Sequence, residues 1–524
     1  NMSITALLLG AALWRSAGLL SSRLPPWSPL ESNINQTAAS ACASIVSGGL
    51  VAPLPALALL TGDNLPLPAL IAWVFTVSFL GIWVAFLLRA RLLAQPQLRF
   101  PEGIATAETL RELFAHGREA MLRVRVLLGA AAASFAIKGI DLLVWQIPRW
   151  SPAPALQKLT FAFDPSMLLL GFGAIIGLRT GLTLLGGALV AWGLLAPLAI
   201  QVGWVAAPVD SQSAFATLVE WLLWPGVALM VSSTLVSFAL RWRNRARLVE
   251  TETAPATGNQ RIAWMGLLVS MIIAVWLQQR LFGIDWWLAV LAVPLAFLLA
   301  MVAARVVGET GVPPIGATGQ VSQLVTGAIA PGQMVTNLMA ANVAGGAAGQ
   351  CTDLMNDFKV GAEIGAHPSR QLVAQIAGIA VGSVAGGWLY LRLIPDPSGQ
   401  LLTAEWPAPA VATWKAVAES VGGGLDAIPL GARFAMAAAA AAGIGLGWLE
   451  SRRYRAWLPS GAALGLAFII PASTSLTLFA GAALAAIWSA RQPALARRFV
   501  LAGAAGLVAG ESLFGVGHAL LSLR

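Results

Sequence analysis

The sequence predicts an all-α polytopic membrane protein of about 14–16 transmembrane or re-entrant helices in two repeated halves. Of its 524 residues, 58% are hydrophobic and only 10% are charged, whereas roughly a quarter of a soluble protein is charged. Apolar segments of nearly spanning length recur along the chain, without the alternating pattern of a membrane β-barrel. Blocks from the first half also recur in the second.

This composition excludes a soluble enzyme, a nucleic-acid-binding protein and a disordered chain. The net charge of +9 comes from arginines at the ends of apolar segments, where they can anchor to anionic headgroups of the lipid bilayer. Only four of the 32 basic residues are lysine. This bias, with abundant Ala and Gly, favours a bacterial source and a multi-pass protein of the inner membrane. Cys42 and Cys351 are too few for a disulfide framework or a metal cluster.

A spanning helix needs about 20 mainly apolar residues. Twelve segments meet or approach this length: residues 4–20, 38–60, 67–92, 124–146, 183–203, 217–240, 262–278, 286–306, 372–393, 430–449, 474–489 and 499–521. Shorter apolar segments cover residues 165–178, 319–330, 334–349 and 459–470. Short segments interrupted by Gly and Pro are typical of broken or re-entrant helices near a transport site.

Two hydrophilic segments interrupt the series of apolar segments. The mixed-charge residues 95–125 predict an amphipathic surface helix, and residues 241–261 predict a linker between the halves. We therefore expect a first repeat bundle over residues 1–250. A second bundle is expected over residues 251–524, with re-entrant segments around 308–350.

The repeat rests on two matched blocks. Pro165 and Gly171 match Pro459 and Gly465, and the match continues through an Ile-Ile pair and a T-LT pattern. Earlier in each half, NQTAAS from Asn35 matches NLMAAN from residue 337. Two matches in the same order and at nearly equal offset indicate a duplication, as in many secondary transporters.

Ionisable residues at membrane depth are costly and therefore mark function by default. Glu309 lies in the Gly- and Pro-rich break VVGETGVPPIGATGQ. A carboxylate there could take up a proton or hold a substrate ammonium group. The alternative is a carboxylate that caps a neighbouring helix.

Amides form a second set of candidates. Paired amides supply both donors and acceptors, which suits a peptide backbone or a metal chelate. Their alternative role is hydrogen bonding between helices. With Glu309, the predicted substrate-binding residues are Asn35, Gln36, Gln323, Asn337, Asn342 and Gln350.

Carboxylates near these amides are candidates for proton coupling. Asp353 and Asp357 are spaced i,i+4 and would share one face of a helix. That face could bind a cation or carry protons, or it could be a solvated mouth. Glu511 stands alone in the last apolar segment, and together with Glu309 it completes the predicted proton-coupling set. Lys138 and Asp141 predict a neutralising buried pair.

Sequence motifs for metal centres and nucleotide sites are absent: the chain has no CxxC, HExxH or Walker lysine motif. We therefore expect no enzymatic activity, no cofactor and no bound metal. An ion gradient would supply the energy for transport. Whether a second copy of the chain is a partner stays open.

Residues 308–378 resemble the oligopeptide transporter superfamily, which includes the yellow stripe-like metal-chelate transporters. The resemblance rests on GET with its following prolines, PG-----NLM-A, Q--D---D-K-G and GA-P--Q--AQ--G. The segments SPLESNINQTAASACASIVSG, LRFPEGIATAE and GESLFGVG extend it over essentially the whole chain. It implies a polytopic symporter, usually proton-coupled, that moves small peptides, peptide derivatives or metal–chelate complexes. It also implies a helix before Ser3, and none precedes Asn1 in this sequence.

The sequence therefore predicts alternating access between two repeat bundles, with substrate near the midplane at Asn35, Asn337, Asn342 and Glu309. Glu309 or Glu511 would couple transport to protons. The alternative is a channel or passive facilitator for small polar solutes, whose broken helices form a fixed filter.

Overall fold

The computed structural model describes residues 27–114, 118–206, 214–246, 257–401, 408–421, 430–450 and 458–522, with a few positions between residues 6 and 14. Within these residues the chain is helical, and its only β-structure is an isolated bridge between Trp150 and Phe163. The predicted all-α class is therefore confirmed. Much of the predicted segment over residues 4–20 lies outside the described residues, as do the centre of the linker and residues 451–457.

The helices of the first half are α1 Pro29–Ser44, α2 Pro53–Thr61, α3 Leu67–Leu93, α4 Pro101–Phe114, α5 Arg118–Gly139, α6 Pro154–Lys158, α7 Met167–Ile176, α8 Leu178–Ala188, α9 Ala196–Gln201 and α10 Ala214–Ala246. The helices of the second half are α11 Thr257–Phe282, α12 Trp286–Thr310, α13 Ile315–Ile329, α14 Met334–Ile364, α15 Pro368–Leu393, α16 Pro397–Gln400, α17 Pro409–Val421, α18 Leu430–Glu450, α19 Gly461–Ile469, α20 Ala472–Arg491 and α21 Pro493–Ser522. A π-helical stretch, Leu189–Leu195, joins α8 to α9.

Eleven helical stretches among the described residues are long and apolar enough to cross a membrane. Each corresponds to an apolar segment predicted from the sequence. The predicted short segment 334–349 is different, because it is only the first half of α14, which continues to Ile364. Polar residues such as Asn356 and Asp357 do not end this helix, because neighbouring helices bury them.

The helices pack in two groups that mix both halves of the sequence. In the α14 group, α14 packs against α1, α3, α12 and α13, and α15 packs against α1 and α3. In the α10 group, α10 packs against α18 and α19, α21 against α5 and α7, and α20 against α7 and α8. Contacts of α12 with α19, and of α4 with both α14 and α21, join the groups. The division of the chain into repeat bundles at residue 250 stays a prediction.

Helix α4 corrects the expected surface helix. It is a helix within the predicted mixed-charge segment, but most of its residues are buried, including Glu102, Glu108 and Glu112. Glu112 pairs with Arg123 at 3.2 Å, and Glu102 accepts a hydrogen bond from Asn356 at 3.1 Å. These partners allow its acidic face to pack inside the protein rather than against water.

The matched positions of the two halves have similar local structures. In the first half α7 ends at Gly177, whose φ is +86°, and α8 follows at once. In the second half α19 ends at Ile469, and α20 begins after Pro471. Each matched block therefore forms a short helix, a break and a second helix, as the Gly- and Pro-interrupted pattern predicts.

Glycines allow the backbones of these broken helices to approach their neighbours closely. A Cβ atom on Gly465 would lie 2.5 Å from the carbonyl oxygen of Gly226 on α10. At the matched position, a Cβ atom on Gly171 would lie 2.7 Å from the carbonyl oxygen of Ala504 on α21. The last long helix of each half thus lies directly against the short helix of the other half.

Gly465→Ala is expected to lower the free energy of unfolding by about 1–3 kcal/mol, because the added methyl group meets backbone that cannot rotate away. The matched control is Gly186→Ala in α8, since a Cβ atom there meets nothing within 4 Å. Thermal unfolding in detergent measures both. Equal melting temperatures for Gly465→Ala and the unmodified protein would contradict the close approach of α19 and α10.

Candidate functional site

A serine caps the N-terminus of each short broken helix. Ser166 caps α7 by accepting a hydrogen bond from the backbone N–H of Leu169, and Ser460 caps α19 in the same way through Ala463. Both serines follow a proline in the matched blocks, so the sequence contained this signal. N-terminal turns of helices have unpaired N–H groups and a positive potential, which favour nearby carboxylates.

Glu309 is the carboxylate at the first turn of α19. It lies at the end of α12, is 5% exposed and accepts a hydrogen bond from the Ser460 hydroxyl at 2.6 Å. One turn earlier on α12, Arg305 forms a buried ion pair with Glu450 of α18. Glu450 also accepts a hydrogen bond from the backbone N–H of Gly461 at 3.0 Å. The site therefore combines two carboxylates with the Arg305 guanidinium where the two helix groups meet, and Arg179 also acts on Glu309 electrostatically.

Glu511 is the carboxylate at the first turn of α7. It accepts hydrogen bonds from the Ser166 hydroxyl at 3.1 Å and from the backbone N–H of Leu168 at 2.8 Å. Lys138 lies 3.8 Å from Glu511 and 3.4 Å from Asp141. The predicted Lys138–Asp141 pair forms, but its side chains are half-buried rather than buried. The expectation that Glu511 stands alone is wrong.

The Glu309 and Glu511 sites thus have the same composition. Each has a capping serine, a carboxylate that accepts a hydrogen bond from the serine hydroxyl, a basic partner and a second acid. Sequence reasoning identified Glu309 and Glu511 but missed Ser166, Ser460, Arg305 and Glu450. The hydrogen-bonded pairs are far apart along the chain, so only the three-dimensional packing brings them together.

The paired amides Asn35 and Asn337 make similar contacts. Asn35 Nδ2 donates a hydrogen bond to the carbonyl oxygen of Ala6 at 3.1 Å. Asn337 Nδ2 donates to the carbonyl oxygen of Gln323 on α13, and Gln323 Nε2 donates to the carbonyl oxygen of Trp414 at 3.1 Å. Each asparagine therefore ties its helix to a segment that precedes it in the chain.

Asn342 supports a break in the first half of the chain. Its Oδ1 accepts a hydrogen bond from Trp73 Nε1 at 2.6 Å, and its Nδ2 donates to the carbonyl oxygen of Gly48 at 3.1 Å. The next residue, Gly49, has φ +127°, which ends the single 3₁₀ turn Ile45–Gly48 after α1. These contacts hold the irregular backbone that precedes α2.

A buried polar network connects α1, α14 and α15, and we call it the Asp357 network. Its residues are Asn33, Gln36, Gln350, Asp357, Gln371 and Gln375. Asp353, one turn before Asp357 on α14, lies beside it. In the orientation that satisfies its amide, Gln375 donates to Asp357 Oδ2 at 3.2 Å and accepts from Gln350 Nε2 at 2.6 Å. Gln350 Oε1 in turn accepts from the Ser44 hydroxyl at 2.9 Å.

Sequence reasoning found Gln36, Gln350, Asp353 and Asp357 but missed the two glutamines of α15. Gln371 and Gln375 are fully buried. Their i,i+4 spacing in an otherwise apolar helix was the available signal, because it places both amides on one face. The predicted residues therefore fall into separate places: the Glu309 site, the Glu511 site, the Asp357 network and the amides that join neighbouring helices.

Two cavities border these elements. One of about 340 Å³ lies at the start of α1 and α15, where Asn35, Glu31 and Arg370 contribute to its lining. The other, of about 400 Å³, lies at the α7–α8 break, where Arg99 and Arg497 contribute positive charge. In the part of the chain that the structure describes, no three His, Cys, Asp or Glu side chains group as ligands of a metal ion.

Comparison with known proteins gives a consistent result. The family model for OPT oligopeptide transporter proteins matches residues 1–522. A Saccharomyces cerevisiae protein named as a candidate oligopeptide transporter is 27% identical over 430 residues, which cover 68% of this chain and 58% of that protein. The metal-nicotianamine transporter YSL2 of Oryza sativa subsp. japonica is 25% identical over 505 residues, which cover 86% of this chain and 73% of that protein. These relatives are named as transporters rather than enzymes.

Proposed function

Because the chain belongs to the OPT oligopeptide transporter family, we propose that it is a secondary active transporter of the bacterial inner membrane. It carries small peptides, peptide derivatives or metal–chelate complexes by symport with protons. The observation that carries this proposal is the family match over nearly the whole chain. The paired Glu309 and Glu511 sites support the coupling mechanism.

Proton coupling is proposed to act through Glu309 and the cap of α19. An ionised Glu309 accepts the Ser460 hydroxyl hydrogen bond, as in this structure. A protonated Glu309 becomes a donor itself, so the hydrogen bond at this helix end must rearrange. Since α12 and α19 belong to different helix groups, this rearrangement alters a contact between the groups. Glu511 and Ser166 give the second site of the same composition.

Alternating access is proposed to move the two helix groups relative to one another. Glu309 and the Arg305–Glu450 pair both bridge α12 to the α10 group. When a carboxylate at such a bridge gains or loses a proton, the relative energies of two arrangements of the helix groups change. Coupling requires such a difference in energy. A fixed pore needs no such titrating contact between the groups.

A metal chelate is the substrate that we favour within the family range. Several relatives are named as metal-nicotianamine transporters. A chelate carries both donors and acceptors around its metal, and an amide such as that of Asn35 offers both kinds of partner. Asn35 also contributes to the cavity at the start of α1. In such a complex the metal ion is part of the transported substrate and not a resident cofactor.

The test combines binding with flux. Purified protein is screened by thermal shift against nickel and iron chelates, the free metals and short peptides, because a ligand of the folded state raises its melting temperature. The ligand that binds is then followed in proteoliposomes. Saturable uptake with counterflow is expected. Unsaturable flux without counterflow would contradict a carrier and support a channel. A rise in melting temperature with peptides alone would contradict a metal chelate as the substrate.

A further inference from the structure

The cavity at the α7–α8 break has a polar end and an apolar end. It has a volume of about 400 Å³ and lies between this break, α20 and α21. Its polar lining residues on α20 and α21, Ser489 and Arg497, lie near the turn that joins these two helices. Further from that turn, its walls are formed by apolar residues such as Ala482, Ala486 and Leu501. The cavity is therefore amphipathic along its length.

The polar end lies where candidate membrane spans end. The spans on α20 and α21 are Ala472–Arg491 and Pro493–Gly515, so the turn between them is at the membrane surface. The span on α3 ends at Leu93, and Arg99 follows in the loop before α4. The apolar end of the cavity is thus at the depth of the lipid chains, and its polar end is at the depth of the headgroups.

The charge at the polar end is positive. Arg99 and Arg497 both line the cavity, and none of its described lining residues is acidic. Both arginines are exposed, and no ion pair among the described residues includes either of them. Other exposed arginines, such as Arg111 and Arg149, do lie beside carboxylates. An anion at this end of the cavity would therefore meet two guanidinium groups and no carboxylate.

Arg99 is held beside the break between α7 and α8. Its Nη1 donates a hydrogen bond to the carbonyl oxygen of Ile175, near the end of α7, at 2.9 Å. A Cβ atom on Gly177, whose φ is +86°, would lie 3.8 Å from the same nitrogen. A guanidinium has several N–H donors, so those that this hydrogen bond does not use remain for an anion. The bond also covers a helix-end carbonyl that would otherwise repel an anion.

We propose that this cavity binds one anionic phospholipid, with its phosphate at the Arg99 and Arg497 end and an acyl chain along the apolar walls of α20 and α21. Arginine binds phosphate through paired N–H donors. A free phosphate ion would leave the apolar walls uncovered. A lipid without net charge would leave the two positive charges uncompensated, so an anionic lipid is the ligand that matches both ends. This inference goes beyond the proposed function, because the binding does not depend on which substrate the chain carries.

The test measures thermal unfolding of the purified full chain in detergent with phosphatidylglycerol, phosphatidylcholine or glycerol 3-phosphate, the soluble headgroup fragment. Only phosphatidylglycerol is expected to raise the melting temperature saturably, because a ligand of the folded state stabilises it. Arg497→Gln is expected to raise the half-saturating amount of this lipid about tenfold. The matched control is Arg491→Gln, which removes an exposed arginine near the same turn but outside the cavity lining, and should leave that amount nearly unchanged.

A second pair of variants tests the apolar end. Ala486→Phe places a ring in the cavity without changing any charge and should abolish the response to phosphatidylglycerol. Ala490→Phe lies on the same helix outside the cavity lining and should keep the response.

Four results would overturn the site. An equal loss in Arg497→Gln and Arg491→Gln would indicate a general attraction of anionic lipids to basic residues at the membrane surface. An equal response to phosphatidylcholine would show that the two positive charges select nothing. A saturable response to glycerol 3-phosphate would assign the cavity to a soluble phosphate compound. A full response in Ala486→Phe would place the lipid elsewhere.

Discussion

Glu309→Gln is expected to abolish the accumulation of substrate driven by an imposed pH gradient in proteoliposomes. The glutamine keeps an oxygen that can accept the Ser460 hydrogen bond, but it can neither bind nor release a proton. Substrate should still equilibrate across the membrane and exchange in counterflow, since the uncharged side chain imitates the protonated state. Glu309→Gln is therefore expected to lose all of the gradient-driven accumulation and to keep substrate binding.

Glu511→Gln tests whether the second site shares this role. If both sites couple, each variant loses accumulation, whereas a purely structural Glu511 leaves it intact. The matched control is Glu419→Gln, because Glu419 is exposed and pairs with Lys415 one turn away on the same helix. Full accumulation in Glu309→Gln would remove this residue from the coupling role.

Arg305→Met is expected to lower the free energy of unfolding by about 3–5 kcal/mol. This is the second large effect that we expect. The substitution leaves the buried carboxylate of Glu450 without its cation, and a buried unpaired charge is strongly destabilising. Arg305 and Glu450 are 6% and 4% exposed, so water cannot replace the guanidinium. Thermal unfolding in detergent measures the effect.

A double variant separates the lost charge partner from lost packing. Arg305→Met with Glu450→Gln removes both charges and should recover most of the stability, because the glutamine can still accept the Gly461 N–H. Lys415→Met gives the exposed control, where a surface pair contributes at most about 1 kcal/mol. A single Arg305→Met variant as stable as the unmodified chain would show that Glu450 needs no buried cation.

Apolar segment length was sufficient to predict the eleven candidate membrane spans of the described residues. Each of the eleven candidate spans corresponds to a predicted segment, because spanning length is a local property of the sequence. The error at α4 has a physical reason. Its glutamates resemble a water-facing surface, and only tertiary partners such as Asn356 and Arg123 make their burial tolerable.

The candidate site was predicted only in part. Intramembrane position identified Glu309, Glu511 and Asp357, since apolar surroundings make a carboxylate conspicuous. Their partners could not be inferred from spacing, because the Glu511–Ser166 contact joins residues 345 positions apart. Periodicity within one helix says nothing about which neighbouring helix its polar face meets.

The most direct test of the central claim is the proton movement that accompanies substrate. Proteoliposomes containing the protein and a pH-sensitive dye in their lumen receive the chelate that binds in the thermal-shift screen, with no imposed gradient and with the membrane potential clamped. The lumen is expected to acidify in proportion to chelate uptake, and Glu309→Gln is expected to abolish this acidification. Saturable chelate uptake with no change in luminal pH would contradict proton symport.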